Sequence, residues 1–197
     1  MSDLVSEILG SLDSQKIQQI ATSVGLNPDQ AKTAVGMAVP FLVGALNKNA
    51  STPDGAQALH QALVKDHDGG LLDNITGALM GQVAGRAGNG QAILGHILGG
   101  EQQAVGQKLG GVAGLDSSKA LQLLSTLAPL VMSALGKLRM QKQLDSSDLQ
   151  AELQKQQAKV EATDPGLMGM LTGVLDKDKD GSALDDVMGM AMNYFKR

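Results

Sequence analysis

Apolar residues recur along this chain at spacings of three and four, and β-branched alternation is almost absent, so the pattern predicts helices throughout. A first helix is predicted from Asp3 to Leu9, ending near Gly10. A second starts at the Asp13-Ser14 cap, buries Ile17, Ile20, Ala21 and Val24, and stops at Gly25. Asn27-Pro28-Asp29-Gln30 is a strong helix start, with Asn27 as cap, Pro28 where its missing N–H costs nothing, and Gln30 closing a capping box. That helix carries Ala34, Val35, Ala38, Leu42 and Ala45 to about Lys48. Pro40 inside it removes the bond to the Gly36 carbonyl and predicts a kink. Thr52-Pro53 opens a helix with Ala56, Leu59, Leu63 and Val64, broken by Gly69-Gly70, and Leu71 to Met80 forms the next. Asn89-Gly90 leads into Ile93, Leu94, Ile97 and Leu98, closed by Gly99-Gly100. The glycine-rich stretches Gly81 to Gly90 and Gly106 to Gly114 read as joints. Gln141 to Ala162 is polar, with Leu144, Leu149, Leu153 and Val160 along one side. It predicts an exposed helix with a Ser147/Gln150 capping box, and Asp164-Pro165 starts a closing helix.

The second half of this pattern repeats the first. Gly25-Leu26-Asn27 returns as Gly114-Leu115-Asp116, Ala31 as Ala120, Pro40 as Pro129 and Ala45-Leu46 as Ala134-Leu135, all displaced by 89 positions. After a change of length, Asp68 and Gly70-Leu71 match Asp164 and Gly166-Leu167, while Thr76-Gly77 and Leu79 match Thr172-Gly173 and Leu175. Pro129 frees the carbonyl of Ser125, the counterpart of Gly36. Asn89-Gly90-Gln91-Ala92-Ile93 aligns with Asp180-Gly181-Ser182-Ala183-Leu184. The fold expected is all-α, two related helical repeats (1–100 and 101–197) packed as an internal pseudo-dimer, each with a kinked central helix.

Composition narrows the chemistry. The chain has 197 residues, 18% charged, with a net charge of -4, so no global field draws it to nucleic acid or anionic lipid. The absence of cysteine excludes disulfides and thiol chemistry and fits a reducing cytoplasm, with export lacking a recognisable signal peptide as the alternative. The apolar stretch Ala34 to Leu46 is too short to span a bilayer. Only 2% of residues are aromatic, so Leu, Val, Ile, Ala and Met must build the core. The 25 glycines predict tight helix contacts.

Chemistry concentrates at the C-terminal end. Asp176, Asp178 and Asp180 recur every second residue, Gly181 supplies a turn and Ser182 a backbone carbonyl, as in positions 1, 3, 5, 6 and 7 of an EF-hand loop. Position 12 is Val187 rather than Glu, and a loop shortened by one residue brings Asp186 into the closing role. Asp185 is the other nearby acid. The simpler reading is a solvated turn in which Ser182 caps the last helix and Asp185 completes a capping box. The mutual repulsion of the aspartates favours a Ca2+ site of modest affinity. Met168, Met170, Met188, Met190 and Met192 flank it, as soft core fill or as an adaptable binding end. His60, His67 and His96 have no partner at metal spacing. No nucleophile elbow, Walker or dinucleotide motif is present, so an enzyme is not expected. Lys137, Arg139 and Lys142 follow the second kinked helix and complement its dipole.

Pro40-Phe41-Leu42-Val43-Gly44-Ala45-Leu46, Gly90-Gln91-Ala92-Ile93-Leu94-Gly95-His96-Ile97-Leu98-Gly99 and Leu127-Ala128-Pro129-Leu130-Val131-Met132 resemble the bacterial domain of unknown function 937, which includes YidB-like proteins. The resemblance covers most of the chain and implies an all-helical fold, of a kind compared with homeodomains. It implies no established activity and assigns no catalytic residues. The function expected is non-enzymatic: self-assembly as a homo-oligomer, or partnering with protein, with calcium stabilising the C-terminal loop. The alternative is a calcium-responsive binding module whose methionine-rich end meets a partner. A weak nucleic-acid binder through Lys137, Arg139 and Lys142 is the third reading.

Overall fold

The computed structural model describes residues 4–67, 69–73, 75–79, 85–163, 166 and 169, and these residues form helices and turns with no strand among them. Two long helices organise the rest. Helix α2 (Ser14–Val24) leads into α3 (Pro28–Asn49), and α8 (Gln102–Ala113) leads into α9 (Ser117–Lys142). The turns between them follow from local chemistry. Gly25 takes the left-handed conformation (φ 69°), and Leu26 N–H donates to the Ala21 carbonyl at 2.8 Å. Asn27 then caps α3, accepting from Gln30 N–H at 2.8 Å in the expected capping box. Gly114 (φ 67°) ends α8 in the same way, with Leu115 N–H on the Gly110 carbonyl at 2.7 Å, and Asp116 caps α9 by accepting from Lys119 N–H at 2.8 Å. Helix α9 ends on a third left-handed cap, but the residue there is Gln143, at φ 52°. A side chain disfavours that conformation, so Gln143→Gly is expected to stabilise the protein by about 0.5–1 kcal/mol in urea unfolding.

Helix α3 packs directly against α9, and both run through their prolines, Pro40 and Pro129. The remaining helices bridge the two. Helices α1 (Leu4–Ser11) and α7 (Gly90–Leu98) each touch both long helices. Helix α4 (Pro53–Asp66), which follows α3, lies more heavily on α9, while α10 (Ser146–Thr163), which follows α9, lies on α3 and α4. The buried apolar residues therefore form one continuous cluster from Leu4 to Val160, centred on Phe41, Leu42, Leu46, Leu123, Leu124 and Leu135.

Three details depart from the sequence pattern. Gly106 to Ala113 is helix rather than joint, because glycine lets α8 close on α9 and on the turn between them: a Cβ at Gly106 would lie 2.8 Å from Leu121, and one at Gly110 would lie 2.7 Å from the carbonyl oxygen of Leu115 in that turn. The segment expected as one helix from Leu71 is helical at Gly70–Asp73 (α5) and Ile75–Leu79 (α6), and residue 74 between them lies outside the described residues. Helix α10 is not an exposed helix, since Leu149, Glu152, Leu153, Gln156 and Val160 are all buried. Its cap is Asp145, which accepts from both Ser147 and Asp148 N–H at 2.8 and 2.9 Å, rather than Ser147. Lys137, Arg139 and Lys142 lie within α9 rather than after it. By length and composition α9 is also able to cross a membrane, and 72% of its apolar window is buried within the fold.

A neutral groove at the proline of α9

Pro129 has no N–H, so the Ser125 carbonyl loses its intrahelical donor. The first residue of α7 takes that place. A Cβ on Gly90 would sit 1.8 Å from the Ser125 oxygen, so only a glycine fits, with its Cα–H against the carbonyl. Asn89 fixes the start of α7 just before it, accepting from Ala92 N–H at 3.0 Å. Beside this contact runs a groove of about 610 Å³ between α7, α9 and the ends of α2 and α6. Leu94, Leu121, Pro129 and Leu130 give it apolar surface; Gln91, Gln102, Ser118, Gln122, Ser125 and Thr126 give it amides and hydroxyls. Every described residue that lines it is uncharged. Part of the polar lining is already held: Gln122 Nε2 donates to the Ser23 carbonyl at 2.7 Å, Gln102 Nε2 to that of Gly99 at 3.3 Å, and Thr126 Oγ1 to that of Gln122 at 2.8 Å.

A second polar feature is buried where α10 meets the start of α1. Leu4 N–H, an orphan donor of the first helical turn, donates to Gln156 Oε1 at 2.9 Å. Gln156 Nε2 donates to Glu152 Oε1 at 2.8 Å, and Lys142 Nζ reaches the same oxygen at 3.0 Å. Burial pushes the Glu152 carboxyl up, but the hydrogen bonds from Lys142 and Gln156 outweigh it and hold it below the ordinary glutamate range. The sequence signal was present: Glu152 and Gln156 fall within the stripe of Leu149, Leu153 and Val160. The groove had a weaker signal, a glycine at a helix start and glutamines spread over three helices.

The candidate calcium ligands Asp176, Asp178, Asp180, Ser182, Asp185 and Asp186 lie outside the described residues, as do Met168, Met170, Met188, Met190 and Met192. Among the described residues, no three His, Asp or Glu side chains gather as a metal site. His96 is exposed, His67 is buried, and His60 Nε2 pairs with the Leu144 carbonyl at 3.2 Å. Of the three cations on α9, Lys137 faces Glu7 at 3.8 Å, Lys142 faces Glu152, and Arg139 is half-buried. Val64 of α4 is 54% exposed. Met140 of α9 is likewise 51% exposed.

No curated protein and no solved structure matches the chain. The model of one family, described as Bacterial protein of unknown function (DUF937), matches residues 6–138, which is more than half of the chain. That span runs from α1 to near the end of α9 and includes every described residue of the groove, whereas α10 and the acidic loop fall beyond it. The chain belongs to the DUF937 family of bacterial proteins.

Proposed function

We propose that this protein is a non-enzymatic interaction scaffold that works by holding protein, a further copy of itself first, in the groove at Pro129. The observation that carries this reading is the lining. Uncharged amides and hydroxyls beside leucine surface suit a peptide or helix, whereas proton transfer needs a titrating group. The exposed Val64 and Met140 add further apolar surface. The nucleic-acid reading is weakened by the carboxylates that already face Lys137 and Lys142, and its signature would be a salt-dependent shift with DNA.

The scaffold is, on this reading, an internal pseudo-dimer of two related helical units of the homeodomain-like kind. The left-handed caps at Gly25 and Gly114, the acceptor caps Asn27 and Asp116 and the in-helix prolines 40 and 129 keep one displacement of 89 residues. The same displacement relates Leu4-Val5 and Ile8-Leu9-Gly10 to Ile93-Leu94 and Ile97-Leu98-Gly99, which carries the second unit back to α7. The helix contacts support it too. Exchanging α1, α2, α3 and α4 with α7, α8, α9 and α10 leaves the pattern of who touches whom largely unchanged.

Calcium at Asp176 to Asp186 stabilises the C-terminal unit in this proposal, through the alternating carboxylates. If calcium instead exposes the methionine-rich end, the protein is a calcium-responsive binding module. A calcium-dependent change in hydrophobic-probe binding, removed by Asp178→Ala with Asp180→Ala, would mark that case. Self-assembly is tested by light scattering of the intact chain in calcium and in chelator. We expect a mass above the 20.3 kDa of one chain, reduced by Ser118→Arg with Gln91→Arg on the exposed side of the groove. A monomer under both conditions overturns self-assembly.

A further inference from the structure

Helix α10 follows α9 in the chain, yet it packs chiefly on α3 and α4. Three residues, Gln143, Leu144 and Asp145, make the connection. The polar contacts of α10 also lie on the first half of the chain. Gln156 accepts from Leu4 N–H at 2.9 Å, Gln157 pairs with Asn47, and Gln150 Nε2 donates to the Ser51 carbonyl at 3.1 Å, while Glu152 reaches back to Lys142. The apolar side chains that α10 buries are Leu149, Leu153 and Val160, few beside those of α3 or α9. Helix α10 also lies beyond residue 138, where the family match ends.

The connection is where local preference and tertiary packing disagree. Gly25 and Gly114 hold the left-handed turns after α2 and α8, but Gln143 holds the one after α9. Among the described residues it is the one non-glycine at positive φ. Gln141, Lys142 and Gln143 are all good helix formers, so the chain here gains by straightening. Short connections under strain are where elements exchange between copies, because the exchanged element re-forms the same contacts on its partner. Only the turn has to open, since Asp145 caps α10 and travels with it.

We propose that α10 is exchanged between two copies of this chain, each α10 seating on the α3–α4 face of the other. Gln156 then meets the Leu4 N–H of the other copy, Gln157 its Asn47 and Glu152 its Lys142. The polar contacts that hold the closed chain thus fix the register of the exchanged one. The inference rests on the self-assembly reading but uses a different surface from the groove.

The chain has no cysteine, so engineered thiols report without background. The full-length variants Asn47→Cys and Gln157→Cys are mixed, unfolded in urea, refolded together at high concentration and treated with a short bismaleimide. No chain in the mixture carries both thiols, so a link between the two variants, identified by mass spectrometry, reports exchange. We expect it to form at least about tenfold faster than the link between Asn47→Cys and the exposed Ala151→Cys. Gln143→Gly in both chains relaxes the closed turn and should cut the yield about threefold. A single chain carrying both thiols, diluted, should link internally, which checks that the variants fold and that the reagent spans the site. A rate no faster than the Ala151→Cys comparison, or a yield that Gln143→Gly leaves unchanged, overturns the inference. If wild-type light scattering then still gives a mass above one chain, the groove reading stands without the exchange, and a monomer sinks both.

Discussion

Gly90→Ala is expected to be among the most damaging single-methyl additions in this protein. The new Cβ would lie 1.8 Å from the Ser125 carbonyl oxygen, well inside contact distance, and the obstacle is backbone in the middle of α9. Neither side yields easily, because Asn89 pins the start of α7 and Leu94 and Ile97 hold the helix in the core. The expected cost is about 3 kcal/mol, the upper part of the range for an overpacked core, which lowers the melting temperature by roughly 6–12 °C. Gly136→Ala should behave alike, since its Cβ would meet the His67 carbonyl oxygen at 1.8 Å. Gly36→Ala has the opposite expected sign. Nothing lies within 4 Å of its Cβ position, and alanine in a helix interior gains about 1 kcal/mol over glycine. Thermal and urea unfolding of the three variants checks the set; equal effects at Gly36 and Gly90 would contradict the close packing of α7 on α9.

Lys142→Met should invert the acid response of one buried carboxylate. In the native protein, Glu152 is held below its ordinary value, so the folded state binds fewer protons than the unfolded chain between the two pKa values. Stability from this group is therefore present above the unfolded pKa of about 4.5 and is lost as pH falls through the folded value. Without Lys142, only Gln156 still donates to the carboxylate, and burial, the largest of the influences, pushes its pKa up. The variant should be less stable at neutral pH by about 1–2 kcal/mol, between the values for exposed and fully buried pairs, because Lys142 is itself partly exposed. It should recover part of that deficit on acidification toward pH 4–5, where protonation removes the unpaired charge. Urea midpoints across this range decide the matter, and a gap between wild type and variant that stays constant with pH would rule the linkage out.

The local devices were legible because each is written in neighbouring residues. Asn27 and Gln30 form their capping box without help from elsewhere, and Gly25 ends α2 because no side chain competes with its left-handed turn. What misled was glycine. Gly106 looks like a breaker in a string of letters, yet it is where α8 closes onto α9, and closeness between helices has no local signature. Polarity misled in α10, where Glu152 and Gln156 are buried because they satisfy Lys142 and the Leu4 N–H, partners 10 and 152 positions away.

The order of the chain determined the helices, their caps and the two in-helix prolines, since all of these depend on interactions within a turn or two. Tertiary structure alone decided that α4 lies on α9 and α10 on α3, that the Ser125 carbonyl released by Pro129 is met by Gly90, and that an uncharged groove opens beside that contact. Those outcomes turn on which surfaces fit across tens of residues. Packing selects them by excluded volume and hydrogen-bond satisfaction, and neither quantity is written in any single stretch of sequence.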